Sequence, residues 1–315
     1  MHYIQEESIM KKALALILTA SLLTGVLTAC GSSKAQTDAA ETTTEEAAAE
    51  ETAAAEETAD TDAQAETGDL QVITVAATAV PHAEILEAAK PILAEQGYDL
   101  QITVFDDYVQ PNEVVDSGDF DANYFQHAPY MEQFSYNEER GTHLVSVGEI
   151  HYEPIGIYAG TESDLSNIPD GADIAIPNDT TNEARALLIL QDNGIITLKE
   201  GAGIDATIND IAENPHNINF VEMEAAQVSK VLSEVAFAVI NGNYALDAGL
   251  NAQTDALASE TSDSLAAQTY VNVVVVKEGN EDNEGVKALV DVLKSDDIKK
   301  FIEETYEGAV VPFEG

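Results

Sequence analysis

The stretch DIAIPNDTTNEARALLILQDNG, residues 173–194, reads as a strand, a turn and a helix in immediate succession. DIAIP is a short apolar run closed by proline. In the turn that follows, Thr180-x-x-Glu183 is a capping-box pattern that predicts a helix over 181–193. The N-terminus of that helix then lies beyond the carboxyl end of a strand, where backbone N–H groups favour an anion. Arg185 falls in the first turns of this helix, and a guanidinium grips a carboxylate bidentately. The chain has one other arginine, Arg140 in NEERGTH, which a helix C-terminus accounts for by its dipole. The residues leave two readings of Arg185 open: an anchor for a ligand carboxylate, or an internal salt bridge with one of many nearby acids.

Outward from this stretch, strand and helix alternate. Strands are predicted at 71–77, 100–105, 121–125, 144–149 and 154–159, with a helix at 81–97 in which Pro91 suggests a kink. A second series has strands at 173–177, 217–223 and 237–240 and a helix near 225–234. YVNVVVV, 270–276, is almost continuously apolar, as expected for a strand covered on both faces. Amphipathic helices near 284–294 and 296–305 follow. The alternation implies an α/β protein. The restart near residue 160 implies two lobes, 70–158 with 270–315 and 159–269, each a mainly parallel sheet flanked by helices. Ligands of such sheets bind beyond strand ends, so the expected site is the cleft between lobes.

The first thirty residues read as an export signal. Lys11 and Lys12 precede an apolar run at 13–27, which is short for a membrane span. MKK at 10–12 suggests Met10 as the true start. The run ends in LTAC, and Cys30 is the only cysteine of the 315 residues, so no intrachain disulfide forms. Residues 31–69 carry twelve acids and no aliphatic side chain larger than alanine, the composition of a disordered tether. Residues 70–315 hold 44 acidic and ten basic residues. That balance excludes nucleic acid as a partner, which needs a basic footprint.

Catalytic signatures are scarce. No G-x-S-x-G, Walker loop or H-E-x-x-H occurs, and GAGIDA at 201–206 lacks the strand-to-helix context of a dinucleotide loop. Of six histidines, His82 and His127 could meet on a metal with a carboxylate, although no ligand spacing demands it. No cofactor or catalytic residue is expected, and the protein is not expected to be an enzyme. Asn241 closes the apolar run FAVIN and Asn272 interrupts YVNVVVV. A buried amide without a partner costs about 1–3 kcal/mol, so each needs backbone or a ligand. Tyr108, after the second strand, is either packed under a loop or part of a site. YFQHAPY, 124–130, concentrates three rings and a histidine in a chain that is 6% aromatic.

FDDYVQPNEVVDSGDFDANYFQHAPYM, AIPNDTTNEARALLIL, AENPHNINFVEMEAAQ, FAVINGNYA and YVNVVVV, in this order, resemble the NlpA/MetQ family of methionine-binding lipoproteins. LTAC is similar to the lipobox of bacterial lipoproteins, in which cleavage leaves a lipidated Cys30. The resemblance covers nearly all of 70–315. It implies a type II periplasmic-binding-protein fold, membrane anchoring by lipid on the extracytoplasmic face, a monomer, and delivery of L-methionine to the permease of an ABC importer. Another apolar amino acid or a methionine-containing dipeptide are the alternative ligands. Tyr108, Phe125, His127 and Tyr130 would line the side-chain pocket, with no metal. Arg185 would hold the α-carboxylate, and Asn241 and Asn272 would bind the polar end. Tyr124, alternating with Phe125, would face the core. Ala226 stands where relatives often have proline, and the PFEG tail is variable; neither touches the implied site.

Overall fold

The computed structural model describes residues 70–135, 141, 143–261 and 265–314. The expected signal, Cys30, the tether and Arg140 lie outside them. A first sheet is built from β1 (Gln71–Ala77), β2 (Tyr98–Val104), β3 (Ala122–His127) and β4 (Leu144–Tyr152), with α1 (Glu84–Glu95), α2 (Gln110–Ser117) and α3 (Ala128–Ser135) between them. The chain then crosses into a second sheet. This contains β5 (Gly156–Ala159) and β6 (Asp173–Pro177), then α4 (Thr180–Asp192) and a small ribbon of β7 (Thr197–Leu198) with β8 (Ile211–Glu213). It continues through β9 (Asn219–Met223), α5 (Ala225–Val228), β10 (Phe237–Ile240), α6 (Gly242–Asp247) and β11 (Ala256–Ser259). After α7 (Leu265–Thr269) the chain is back in the first sheet with β12 (Val271–Lys277), α8 (Glu284–Leu293), α9 (Asp296–Tyr306) and β13 (Val311–Pro312).

The strand orders are β13-β4-β12-β3-β1-β2 and β11-β5-β10-β6-β9. Both sheets are mixed rather than mainly parallel. β1 pairs in parallel with β2 and β3, and β6 with β9 and β10. β12 runs antiparallel to both its neighbours, β3 and β4, because it carries the returning chain. β5 belongs to the second sheet, paired with β10 and β11, so residues 156–158 sit outside the lobe in which they were expected. The reason is length: three residues, 153–155, suffice to cross between the lobes, and Pro154 among them reads equally as the first residue of a strand, so it does not mark the crossing.

Burial explains the apolar run of β12. Val274 and Val276 face a core of Ile73, Val75, Leu86, Leu93, Leu289 and Ile302, beneath α1, α8 and α9. Val271, Val273 and Val275 face the opposite side, against Val115, Met131 and Leu144. Each buried valine contributes about 1.5–3 kcal/mol, so neither face tolerates polar alternation. The second sheet is sandwiched in the same way, by α4 on one face and by the Val228, Tyr244 and Ala245 side chains on the other. Pro91 lies inside α1 without ending it; α1 stops at Gln96 and the left-handed Gly97, φ 92°. α4 is capped by Asp179, whose side chain accepts from the Asn182 N–H, one residue earlier than the capping-box pattern indicated.

Leu289→Ala, in the fully buried face of α8, is expected to destabilise the protein by about 2–5 kcal/mol in urea unfolding. Lys300→Ala, on the exposed face of α9, should stay within about 0.5 kcal/mol.

Candidate functional site

The two sheets meet at a narrow cavity of about 20 Å³ lined by Tyr108, Phe125, Gln126, His127, Tyr130, Glu153, Asn182, Arg185, Asn241, Gly242, Asn243 and Asn272. All seven ligand-contact candidates from the sequence are among them. Tyr124 is not: its ring is wholly buried in the first core, with its hydroxyl on His151. Tyr108 and Tyr130 also line a wider opening of about 350 Å³, with Asp107, Asp179, Glu224 and Tyr244 around it.

The lobes are latched across the seam. The Tyr108 hydroxyl donates to Asn243 Oδ1 at 2.5 Å, and the Tyr244 hydroxyl to the Asp106 carbonyl at 3.1 Å. His127 Nε2 meets Asn182 Oδ1 at 3.0 Å. Tyr108 packs against Phe125, Tyr130 and Tyr244 with ring centroids 4.9–5.8 Å apart, the geometry of favourable aromatic pairs. The cavity holds about one water's worth of free volume, so a larger ligand enters only when this aromatic wall parts.

Arg185 is buried at 3% exposure and does two things at once. Its Nε and Nη2 pair with the Glu260 carboxylate at 3.0 and 2.5 Å, and Nη2 donates to the Glu153 carbonyl at 2.8 Å. The Tyr270 ring lies 4.4 Å from its guanidinium carbon. The internal salt bridge weighed in the sequence therefore exists. Nη1, however, has no protein acceptor among the described residues, and Arg185 borders the cavity. Burial opposes the guanidinium's charge, but Glu260 outweighs it and keeps the group protonated beyond the ordinary arginine range. Burial likewise pushes Glu260 up, and Arg185 more than reverses it.

Two asparagines present opposite poles. Asn241 donates through Nδ2 to Asn182 Oδ1 at 2.7 Å, and its own Oδ1 is buried without a partner. Asn272 accepts through Oδ1 from the His82 ring at 3.1 Å; its Nδ2 has no acceptor among the described residues. Gly242 is required where α6 meets Glu153: a Cβ there would lie 2.7 Å from Glu153 Cβ.

Glu153, Asn182, Asn243 and Glu260 were not singled out by sequence reasoning. A signal existed for Glu153, a carboxylate inside the apolar HYEPIGIY. None existed for Glu260, whose neighbours are as polar as itself. His82 and His127 do not converge on a metal. Among the described residues the one cluster of metal-ligating composition is His82, His151 and Glu153. Both ring Nε2 atoms face Glu153 Oε1, at 3.3 and 2.7 Å, and both Nδ1 atoms meet hydroxyls, of Thr78 and Tyr124. Hydrogen bonds thus occupy every ring nitrogen, and no open lone pair points to a cation.

A sheet-helix fold in two lobes joined by two crossing segments, with a polar and aromatic cavity at the seam, is the architecture of periplasmic substrate-binding proteins. The chain belongs to the NlpA lipoprotein family, whose model matches residues 73–314. It is similar to the methionine-binding lipoprotein MetQ of Bacillus subtilis, 41% identical over 251 residues, covering 79% of this chain and 90% of that one. A solved structure from Ruminococcus gnavus has 67% identity and a TM-score of 0.76, covering 78% of this chain and 100% of that one. A nutrient-binding protein from Burkholderia cenocepacia, solved bound to methionine, has 42% identity and a TM-score of 0.71, covering 76% and 99%.

Burial lowers His82 to about 4 and His127 and His151 to about 3, from an ordinary value of 6.5. Between those values and 6.5 the unfolded chain binds protons that the folded chain does not, so stability falls as pH drops through that window. Glu260, held low in the fold, adds a loss at still lower pH, whereas Glu153 and Asp179, raised by burial, take up protons in the fold above their ordinary values and so oppose part of the histidine loss within its own window. Calorimetry should show a lower Tm at pH 5 than at pH 7, three lowered imidazoles outweighing two raised carboxyls; an unchanged or higher Tm would mean that they do not.

Proposed function

We propose that this protein binds methionine between its lobes and delivers it to the permease of an ABC importer, without chemical turnover. One observation carries the reading. On the lining of one cavity, Asn241 Oδ1 is buried without a donor, and among the described residues neither Arg185 Nη1 nor Asn272 Nδ2 has an acceptor. A bound zwitterion answers both needs, its carboxylate taking the donors and its ammonium the oxygen. A buried unpaired oxygen costs about 1–3 kcal/mol, which such a ligand would recover. The rings of Tyr108, Phe125 and Tyr130 form the other wall, and a thioether gains from sulfur–aromatic contact. The names of the relatives, MetQ and the methionine-bound protein, agree with this chemistry.

A methionine-containing dipeptide is the second reading, favoured by the 350 Å³ opening that shares Tyr108 and Tyr130 with the cavity. Calorimetry of the purified full chain against methionine, other amino acids and methionine dipeptides separates the two. Methionine should bind most tightly; no heat with any of them would defeat both readings. Arg185→Lys keeps a charge near Glu260 but loses the fork. It should weaken methionine by about 10- to 150-fold, the worth of a charge-assisted hydrogen bond, with the chain still folded.

We also propose that Cys30 carries a lipid anchor at the extracytoplasmic face. Cys30→Ser should move the protein from the membrane to the soluble fraction. Continued sedimentation with membranes would count against lipidation.

A further inference from the structure

Asparagine can present either its oxygen or its NH2 group to a ligand, and nothing in its shape decides which. Around this cavity the decision is made by neighbours two bonds removed. His127 Nδ1 accepts from the Tyr130 backbone N–H at 3.2 Å. A backbone amide can only donate, so His127 Nδ1 is bare and Nε2 carries the proton. The Asn182 atom facing Nε2 at 3.0 Å is therefore its oxygen. Asp179 agrees from the other side: its carboxylate takes the Asn182 NH2 group at 2.8 and 3.1 Å. With Asn182 Oδ1 fixed, it is the Asn241 NH2 that turns to it, at 2.7 Å, and the Asn241 oxygen that is left for the cavity.

The second amide is set by the opposite logic. Glu153 Oε1 stands 3.3 Å from His82 Nε2. A bare Nε2 lone pair would repel that oxygen, so the proton sits on Nε2 and the Thr78 hydroxyl donates to Nδ1 at 2.8 Å. Nε2–H then faces Asn272 at 3.1 Å and requires its oxygen. The Asn272 NH2 is turned away from His82, on a residue that lines the cavity. His82, Glu153 and Asn182 are all buried, at 1–5% exposure, so water does not offer them alternatives.

We propose that two acids, half-buried Asp179 and buried Glu153, are positioning residues that act through Asn182 and His82 to hold Asn241 oxygen-inward and Asn272 NH2-inward. The site thereby acquires a donor pole and an acceptor pole, and so a fixed direction in which an amino acid's backbone end is read. The inference rests on the zwitterion reading above and adds how its polarity is enforced.

Two measurements test it. In the ligand-free, 15N-histidine-labelled full chain, long-range proton–nitrogen spectra should show His82 and His127 both protonated on Nε2. Protonation of His82 on Nδ1 would overturn the proposal, and this needs no variant to fold. Double-mutant cycles read the coupling in methionine titrations. His82→Phe should weaken binding about tenfold or more in the natural background but less than about twofold once Asn272→Ala is present. His82→Gln, which restores a donor, should recover part of the loss. Asp179→Ser, which keeps a good N-cap, should show the same dependence on Asn241. Equal losses in both backgrounds would mean a merely structural role and would sink the inference. A natural chain that binds no methionine defeats the ligand reading instead, while the tautomer result still stands or falls alone.

Discussion

Everything at the seam leans on the buried ion pair between Arg185 and Glu260. Buried pairs do little for net stability, because desolvation consumes most of the attraction, but losing one partner leaves an uncompensated charge and costs several kcal/mol. Here the pair is also a fastener. Glu260 closes the strand by which the chain leaves the second sheet. Its carboxylate further takes the Tyr152 hydroxyl and the Ile155 N–H, and its own N–H donates to the Ile155 carbonyl. Arg185 reaches the Glu153 carbonyl in the other crossing segment. One guanidinium therefore ties together both segments that join the lobes. Its remaining nitrogen is held in place by bonds made for structural reasons, which is what preorganisation means for a binding site.

The surrounding chemistry suits a protein as acidic as this one. A free anion meets repulsion over most of the surface, and the cavity counters it with one shielded cation and uncharged donors. The three buried imidazoles contribute no charge at neutral pH, since burial outweighs their carboxylate neighbours. In the tautomers proposed above, two of them are directional donors, His127 set by the Tyr130 N–H on its far nitrogen and His82 by Glu153 beside the donating one. In the proposed reading selectivity would divide accordingly, the polar groups distinguishing an amino acid's backbone end and the aromatic wall its side chain.

Much of this was legible in advance. Periodicity located the strands at 71–77, 173–177 and 237–240 to the residue, and each is followed at once by a polar residue, Thr78, Asn178 or Asn241. The short helices α2, α3 and α6 were missed; at eight residues or fewer they show too few turns for an apolar stripe to emerge. The capping pattern at Thr180 misled by one residue, since Asp179 is an equally good cap and Glu183 instead accepts from the Ile208 N–H. Arg185 was recognised as either anchor or salt bridge. The two are not exclusive, because a guanidinium has enough donors for both.

The sequence by itself determined the α/β class, the apolar segments with two covered faces and the side chains that would be costly to bury alone. Those follow from local periodicity and from the price of desolvating a polar group. Only the tertiary structure decided that Glu260, 75 residues from Arg185, would be its partner, and that Asn241 and Asn272 would face one cavity with opposite ends. Such choices depend on the direction of individual hydrogen bonds between distant segments, and no pattern along the chain records a direction.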